Sequence, residues 1–392
     1  MFFEERAMLL PVLGELSEEI VALFFIIFSV SIIFGAVARK TDFCPLGGIA
    51  DVVHSGNTGR LSMYFFAIAT AILGVTIFEA LEIFSADGTR PPYRMSQFRW
   101  PAYLVGGAFF GVGMTLCRGC GMKSILNLGG GNLKTIVAIL GMGGAAVLML
   151  YVEGFFNDYF LSWVLPASPN LDNYGFEMQD LGTILGSITG VETSTMRIVI
   201  GLVLSISIMS LVFRSKDFVA RRDNWIGGFM IGALIVSAFY ISGGPIGELA
   251  NEASEFSDNP QYGMGTQSYT FIRPMGDLLY IASNPEWYIL TFGLVAFLGV
   301  GTGSVLISVV TRRFKIVWFN SIGEALRYAV GGVMVGIGGI LGMGCTLGQG
   351  IAGTSTLSLG SFVDLFALML GAYIGIRMQK KFMNDHEVPR AD

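Results

Sequence analysis

The sequence predicts an all-α polytopic membrane protein with about nine transmembrane helices, and three observations carry that prediction. Hydrophobic residues fill 53% of the 392 positions and charged ones only 14%, where a soluble domain carries roughly 25%. Mean hydropathy is +0.64. Fifty-three glycines supply the small residues through which membrane helices approach where lipid gives no hydrophobic drive. Nothing in the charge pattern suits a nucleic acid, and four cysteines in a chain this long are not a disulfide framework. The acidic start (Glu4, Glu5, Glu15, Glu18 and Glu19 against Arg6) has the wrong charge for a cleavable signal.

Apolar runs able to cross ~30 Å of hydrocarbon begin near Ile20, Leu61, Ala102, Thr135, Met196, Trp225, Trp287, Ala325 and Phe362. The first follows the acidic start and ends at Arg39 and Lys40; a short amphipathic piece, Leu46 to Val53, separates it from the second. The third and fourth flank a patch of glycine and cysteine. The fifth follows a stretch, Asp158 to Glu192, that holds no Lys or Arg, and it ends in the basic cluster Arg214 to Arg222. The seventh stops before Arg312 to Lys315, the eighth leads into a second glycine and cysteine patch, and the ninth ends at Arg377 to Lys381. By the positive-inside rule the basic clusters are cytoplasmic. An odd number of crossings then puts the N-terminus outside and the C-terminus in the cytoplasm. Phe155–Leu165 and Phe271–Ala282 read as interfacial helices in outside loops.

One register of the sequence repeats. Tyr103, Val105, Gly106, Gly107, Gly111, Gly113, Leu116, Gly119 and Cys120 recur as Tyr328, Val330, Gly331, Gly332, Gly336, Gly338, Leu341, Gly344 and Cys345, always at an offset of 225. On the expected topology the two copies cross in opposite directions, as the inverted repeats of transporters do around a midplane site. The expected organisation is a single membrane domain over 1–392. Repeat 1 covers about 20–155, repeat 2 about 225–380, and external loops about 156–194 and 243–286.

Both cysteine patches interrupt a helix. Gly costs about 1 kcal/mol relative to Ala in a helix interior, and unwound backbone at membrane depth is tolerated only in protein or beside a polar cavity. Two broken helices therefore present Cys120 and Cys345 on central loops, with the N–H groups of each following half-helix favouring an anion. Glycines such as Gly119, Gly121 and Gly344 clear room there, and Gln349 in GMGCTLGQG adds a polar group. Arg118 and Lys123 are ionisable groups in an apolar segment and so candidates for the pathway, with snorkelling to an interface the alternative. Cys117 and Cys120 have redox-pair spacing without a βαβ context. Gly129 to Gly131 lack the strand and the Lys-Ser/Thr of a phosphate loop. His54 and His386 fit no metal pattern. Asp42, Asp51 and Asp364 lie near predicted span ends, where solvated capping roles are expected.

GVGMTLCRGCGMKSILNLGGGNLK, GMGCTLGQGIAGTSTLSLGS and KTDFC after the first span resemble the YeeE/YedE family of bacterial inner-membrane proteins. The resemblance covers most of the chain. It implies nine membrane helices with loops dipping to the centre, and uptake of thiosulfate or of another sulfur or selenium species. It carries the family's three pathway cysteines onto Cys44, Cys120 and Cys345, whose thiols would hand the anion inward. It implies a small cytoplasmic sulfurtransferase of the TusA type as a partner, and no cofactor or enzymatic activity. This chain departs from thiosulfate importers at Cys117, Arg118, Gly121 and Lys123. Two rival classes are a membrane thiol-redox protein cycling Cys117 and Cys120, and a structural protein with a dry, packed centre.

Overall fold

The computed structural model describes residues 17–257, 260–285 and 287–382. His386 and the charged residues Glu4, Glu5, Arg6 and Glu15 lie outside them. The first half contains α1 (Glu18–Lys40), α2 (Pro45–Ser55), α3 (Gly59–Ala80), α4 (Trp100–Leu116), α5 (Gly121–Gly129) and α6 (Lys134–Tyr151). A π-helical segment (Asn157–Leu161), α7 (Leu181–Thr189) and α8 (Thr193–Phe213) follow. The second half holds α9 (Arg222–Gly243), α10 (Pro245–Glu255), α11 (Ile272–Ser283), α12 (Phe292–Val310), α13 (Ile322–Leu341) and α14 (Leu359–Phe382). Among the described residues there are nine stretches long and apolar enough to cross a membrane, and they fall on the nine predicted runs. No β-strand occurs among those residues.

Local chemistry sets the helix ends. Ser17 caps α1 by accepting from the Ile20 amide, with Glu18 and Glu19 in the first turn and Arg39 and Lys40 in the last, each charge complementing the helix dipole. Ser321 caps α13, accepting from the Glu324 amide at 3.2 Å, while Glu324 Oε2 accepts from the amide of Asn320, one residue before the cap, at 3.2 Å. Outward faces are apolar, as in Phe25, Val203 and Ile206. The inward faces are lined with small residues.

The tightest of these contacts repeat with the sequence. A Cβ placed on Gly106 of α4 would lie 2.9 Å from the Gly338 carbonyl of α13, and one on Gly113 would lie 2.9 Å from the Gly331 carbonyl. Residues 331 and 338 are 106 and 113 displaced by 225, so the two helices run antiparallel and meet the same way from either side. The wider packing follows suit. Helix α4 packs on α14 as α13 packs on α6, and α1 packs on α12 as α9 packs on α3.

One expectation about the outer segments changes. The first half of the segment 271–282 is not a surface helix. Instead α11 enters between the spans, burying Ile272, Pro274, Met275, Gly276 and Asp277. Gly276 packs on Ala146 and the Met275 carbonyl on Gly143, so two glycines provide the close approach. Asp277 is satisfied there by the Tyr151 hydroxyl at 2.8 Å and the Thr291 hydroxyl at 3.0 Å.

An ion-pair cluster ties the loop after α3 to α7 and α8. Arg94, 1% exposed, pairs with Glu79 and Asp87 and donates through Nε to the Thr356 carbonyl at 2.9 Å. Arg197 pairs with Asp180 and Asp87. Burial works to raise Asp87 and Asp180, but the two guanidinium groups outweigh it and hold both carboxyls below the usual range.

Candidate functional site

The two helix breaks are built alike. At the end of α4 the Cys117 amide donates to the Gly113 carbonyl, Arg118 turns left-handed at φ 57°, and the Gly119 amide reaches back to Met114 at 2.9 Å. At the end of α13 the Gly342 amide donates to Gly338, Met343 turns left-handed at φ 60°, and the Gly344 amide reaches back to Gly339 at 2.8 Å. Every one of these positions differs from its counterpart by 225. A left-handed residue closed by a six-residue bond ends the helix and frees the chain to reverse. The next residues are Cys120 and Cys345.

Cys120 becomes the N-cap of α5. Cys345 precedes the π-helical segment Gly348–Gly353, and its sulfur accepts from the Gly348 amide at 3.4 Å. Cys44 follows α1 through the left-handed Asp42 and is the N-cap of α2, its sulfur accepting from the Gly47 amide at 3.3 Å. The fold brings the three together: Cys120 is close enough to couple electrostatically with both Cys44 and Cys345. Tyr64 couples with Cys120 and Cys345, and its hydroxyl donates to the Thr346 carbonyl at 2.7 Å. Gly121 keeps the approach to Phe271 and Ile272 clear, where a Cβ would lie 3.1 Å from each side chain. At Gly344 a Cβ would meet the Gln349 backbone nitrogen at 2.7 Å.

Charge gathers at one end of this line. Lys123, in the first turn of α5, pairs directly with Asp42. Arg60 grips Asp51 with two bonds of 2.6 Å and donates to Asp42 Oδ2 at 2.9 Å. The same guanidinium couples with Cys44. Asp42, still half exposed, and the less exposed Asp51 are therefore partners of two cations near Cys44, and not caps alone. The sequence signal for Arg60 was faint, since a basic residue at the start of a span ordinarily marks the interface.

Two predicted residues do not join the thiols. Arg118 is exposed, and its electrostatic partners are Glu324 and Tyr328. The left-handed turn that ends α4 leaves it on the surface of the protein. Gln349 is buried with both ends of its amide engaged, donating to the Gly342 carbonyl at 2.6 Å and accepting from Ser361. It braces the second break. Cys117 bonds within its own turn, its thiol near the carbonyls of Gly113 (3.3 Å) and Gly119 (3.1 Å). All four cysteines are free thiols. Gly129 to Gly131 form a turn that pairs with the backbone of Lys315 and Val317, which accounts for their conformation without a phosphate.

In this state the thiols are closed to solvent, Cys44 at 6%, Cys120 at 1% and Cys345 at 0% exposure. By itself a packed centre favours a structural protein. The packing is not complete chemically, however. Ser124 Oγ is buried with no hydrogen-bond partner, and Thr346 Oγ1 has none but the weak sulfur acceptor of Cys120. Ser124 lies one turn into α5, its amide bonded to the Cys120 carbonyl, and Thr346 is the side-chain neighbour of the Cys120 thiol. Unpaired buried hydroxyls are rare and call for an explanation. One hydroxyl with no partner and one held only by a thiol leave polar capacity unused around the first break. Sequence reasoning missed both, because Ser and Thr in a membrane helix ordinarily bond to their own backbone.

The chain is similar to the thiosulfate transporter TsuA of Escherichia coli (strain K12), with 20% identity over 373 residues that span 89% of this chain and 94% of that protein. It is also similar to the thiosulfate transporter TsuA of Spirochaeta thermophila (strain ATCC 700085 / DSM 6578 / Z-1203), with 21% identity over 346 residues, 87% of this chain and 94% of the other. The profile of the Sulphur transport family matches residues 40–374, a range that includes all four cysteines and both helix breaks, and the chain belongs to that family.

Proposed function

We propose that this chain is a bacterial inner-membrane transporter, not an enzyme, that imports a small sulfur-containing anion, thiosulfate first among them. The observation that carries the proposal is the meeting of Cys44, Cys120 and Cys345 around repeat-related helix breaks, with the Thr346 hydroxyl on the middle thiol and an unpartnered Ser124 hydroxyl one turn into α5. A thiol is a weak donor to a soft sulfur atom. A line of them passes a divalent anion without holding it tightly. The anion enters at Cys345, moves to Cys120 where Ser124 and Thr346 complete its shell, and leaves past Cys44. The α5 N-terminus, Lys123 and Arg60 offset the loss of water around the negative charge.

The symmetric α4–α13 contact supports the inverted-repeat organisation, with repeat 1 at about 20–155 and repeat 2 at about 225–380 in a single membrane domain. The basic clusters support an external N-terminus and a cytoplasmic C-terminus. The Cys44 end, with its ion pairs, then faces the cytoplasm, where a TusA-like sulfurtransferase is the expected recipient. The redox reading loses support from Cys117, whose thiol, though near enough to couple with Cys120, is bonded to the carbonyls of Gly113 and Gly119 inside its own turn. Uptake of labelled thiosulfate, sulfide, sulfite and selenite by cells expressing the chain tests the proposal. Thiosulfate uptake and growth on thiosulfate as sole sulfur source support it. Uptake of another species that thiosulfate does not compete with moves the substrate, and uptake of none removes the transporter.

A further inference from the structure

Asp364 is the sixth residue of α14, 2% exposed, and its Oδ1 has no hydrogen-bond partner. No ion pair reaches it among the described residues. The other two fully buried carboxyls differ. Asp180 is bonded to Arg197 and Thr183, and Asp277 to Tyr151 and Thr291. A solvated cap, the role its sequence position suggested, is not what the fold provides.

The carboxyl sits where α4, α13 and α14 cross. A Cβ on Gly107 of α4 would lie 3.0 Å from Asp364 Oδ1, and one on Gly342, at the second helix break, 2.5 Å from it. Two glycines thus leave room for this one group. Ser361, a turn earlier on α14, bonds to Gln349, which in turn holds the Gly342 carbonyl. Tyr64 and Tyr93 each couple electrostatically with both Asp364 and Cys345. The carboxyl is therefore next to the break that presents the first pathway thiol, without touching the thiols.

The groups coupled to it are neutral, and the nearest charge on α4's side is Arg99 at that helix's N-cap, which acts on Tyr103. Helix α4 offers Tyr103, α3 offers Tyr64 and the loop before α4 offers Tyr93. On α13 the charges Glu324 and Arg327 are at the opposite end, and on α14 the next charge is Arg377. On α2, which also packs on α14, Asp51 is engaged by Arg60. An unpaired carboxylate in such surroundings is costly and neutralises by taking up a proton. A dianion arriving at Cys345 brings two more negative charges into the same dry core.

We propose that Asp364 is the proton-binding site of the transport cycle. It takes a proton from the outside before the anion enters and returns it to the cytoplasmic side after the anion has left, so that one proton accompanies each dianion. The inference rests on the transport reading above and supplies its coupling ion.

The test uses the full chain purified into liposomes, with the membrane potential clamped by valinomycin and equal potassium and a pH-sensitive dye inside. Addition of labelled thiosulfate to wild-type vesicles is expected to acidify the lumen, and accumulation to rise about tenfold per pH unit of inside-alkaline gradient. Asp364→Asn, an isostere of the protonated acid, is expected to keep counterflow exchange of labelled thiosulfate, while lumen pH stays still and accumulation ignores the gradient. Asp364→Glu restores both. Wild-type uptake without acidification overturns the inference, as does an Asp364→Asn protein that acidifies as much per anion as the wild type. Should Asp364→Asn fail to fold, wild-type protein is treated with a carbodiimide that traps buried acids. Label at residue 364 with parallel loss of acidification supports the site, and acidification that survives, or label elsewhere only, overturns it. Wild-type vesicles that take up no thiosulfate mark a different failure, that of the transport reading itself, and the coupling falls with it.

Discussion

Replacing Thr346 with Val separates a ligand-binding hydroxyl from a structural one, because the two roles predict opposite signs. Thr346 is 0% exposed and its Oγ1 has no partner but the Cys120 thiol, a weak acceptor that offsets little of the cost of burial. Leaving a buried hydroxyl unpaired costs about 1–3 kcal/mol. Val keeps the branched shape, and the Tyr64 bond is to the main-chain carbonyl, which the substitution does not touch. The resting protein therefore gains stability in Thr346→Val, with a thermal midpoint about 2 °C or less above wild type. Transport moves the other way. A hydrogen bond to a charged partner is worth about 1.5–3 kcal/mol, and its loss at the step that limits passage slows uptake roughly tenfold to hundredfold. The assays are a thermal melt of the detergent-solubilised protein and the initial rate of labelled thiosulfate uptake at matched expression. A variant that melts lower and transports in proportion to its surviving fold refutes the reasoning, since the hydroxyl is then part of the scaffold. Unchanged uptake refutes it equally.

Further expectations concern the breaks and the outer ion pairs. Arg118→Gly relieves a left-handed residue at φ 57°, raising stability by about 1 kcal/mol with uptake unchanged; a melt and an uptake assay check it, and lost uptake would return Arg118 to the pathway. Gly344→Ala forces a Cβ to 2.7 Å from backbone and impairs folding and transport. Gly119→Ala meets only the Lys123 side chain at 3.2 Å and is the milder of the pair, an order that expression and uptake will confirm or reverse. The carboxyls of Asp87 and Asp180 are held below the usual range, so their contribution to stability is complete above about pH 4, the unfolded value. It disappears as pH falls through the lower folded values. Melts between about pH 7 and 3 are expected to show that loss in wild type and a flatter acid limb in Asp87→Asn; identical limbs would assign the loss to other groups.

Much of the architecture was legible in the sequence because membrane spans are written in long apolar runs and their ends in charges. Tyr103 to Cys120 repeating at Tyr328 to Cys345 located both helix breaks, and the left-handed turns at Arg118 and Met343 show why: the repeated glycines after each span close the same reversal. The thiols were legible for the same reason. What eluded the sequence depends on which face of a helix a residue occupies. Periodicity gives no face for Arg118, which follows the last turn of α4, so its outward direction appears only in the fold. Asp364 lies near a span end by count, but the crossing of α4 and α13 at Gly107 and Gly342 covers it. The depth of α11 was hidden because its apolar content is too short to read as a span, and burial came from Gly143 and Gly276 on two distant segments.

The central claim is that Cys44, Cys120 and Cys345 act together on the passing anion while Cys117 does not. Initial rates of labelled thiosulfate uptake, measured for the four single Cys→Ala variants at matched expression, test it most directly. Losing one donor to the anion predicts a roughly tenfold to hundredfold fall for Cys44→Ala, Cys120→Ala and Cys345→Ala. Cys117→Ala is expected to stay near wild type, because its thiol bonds only within its own turn. A dead Cys117→Ala beside a healthy Cys44→Ala would contradict the account and point to a dithiol cycle between Cys117 and Cys120.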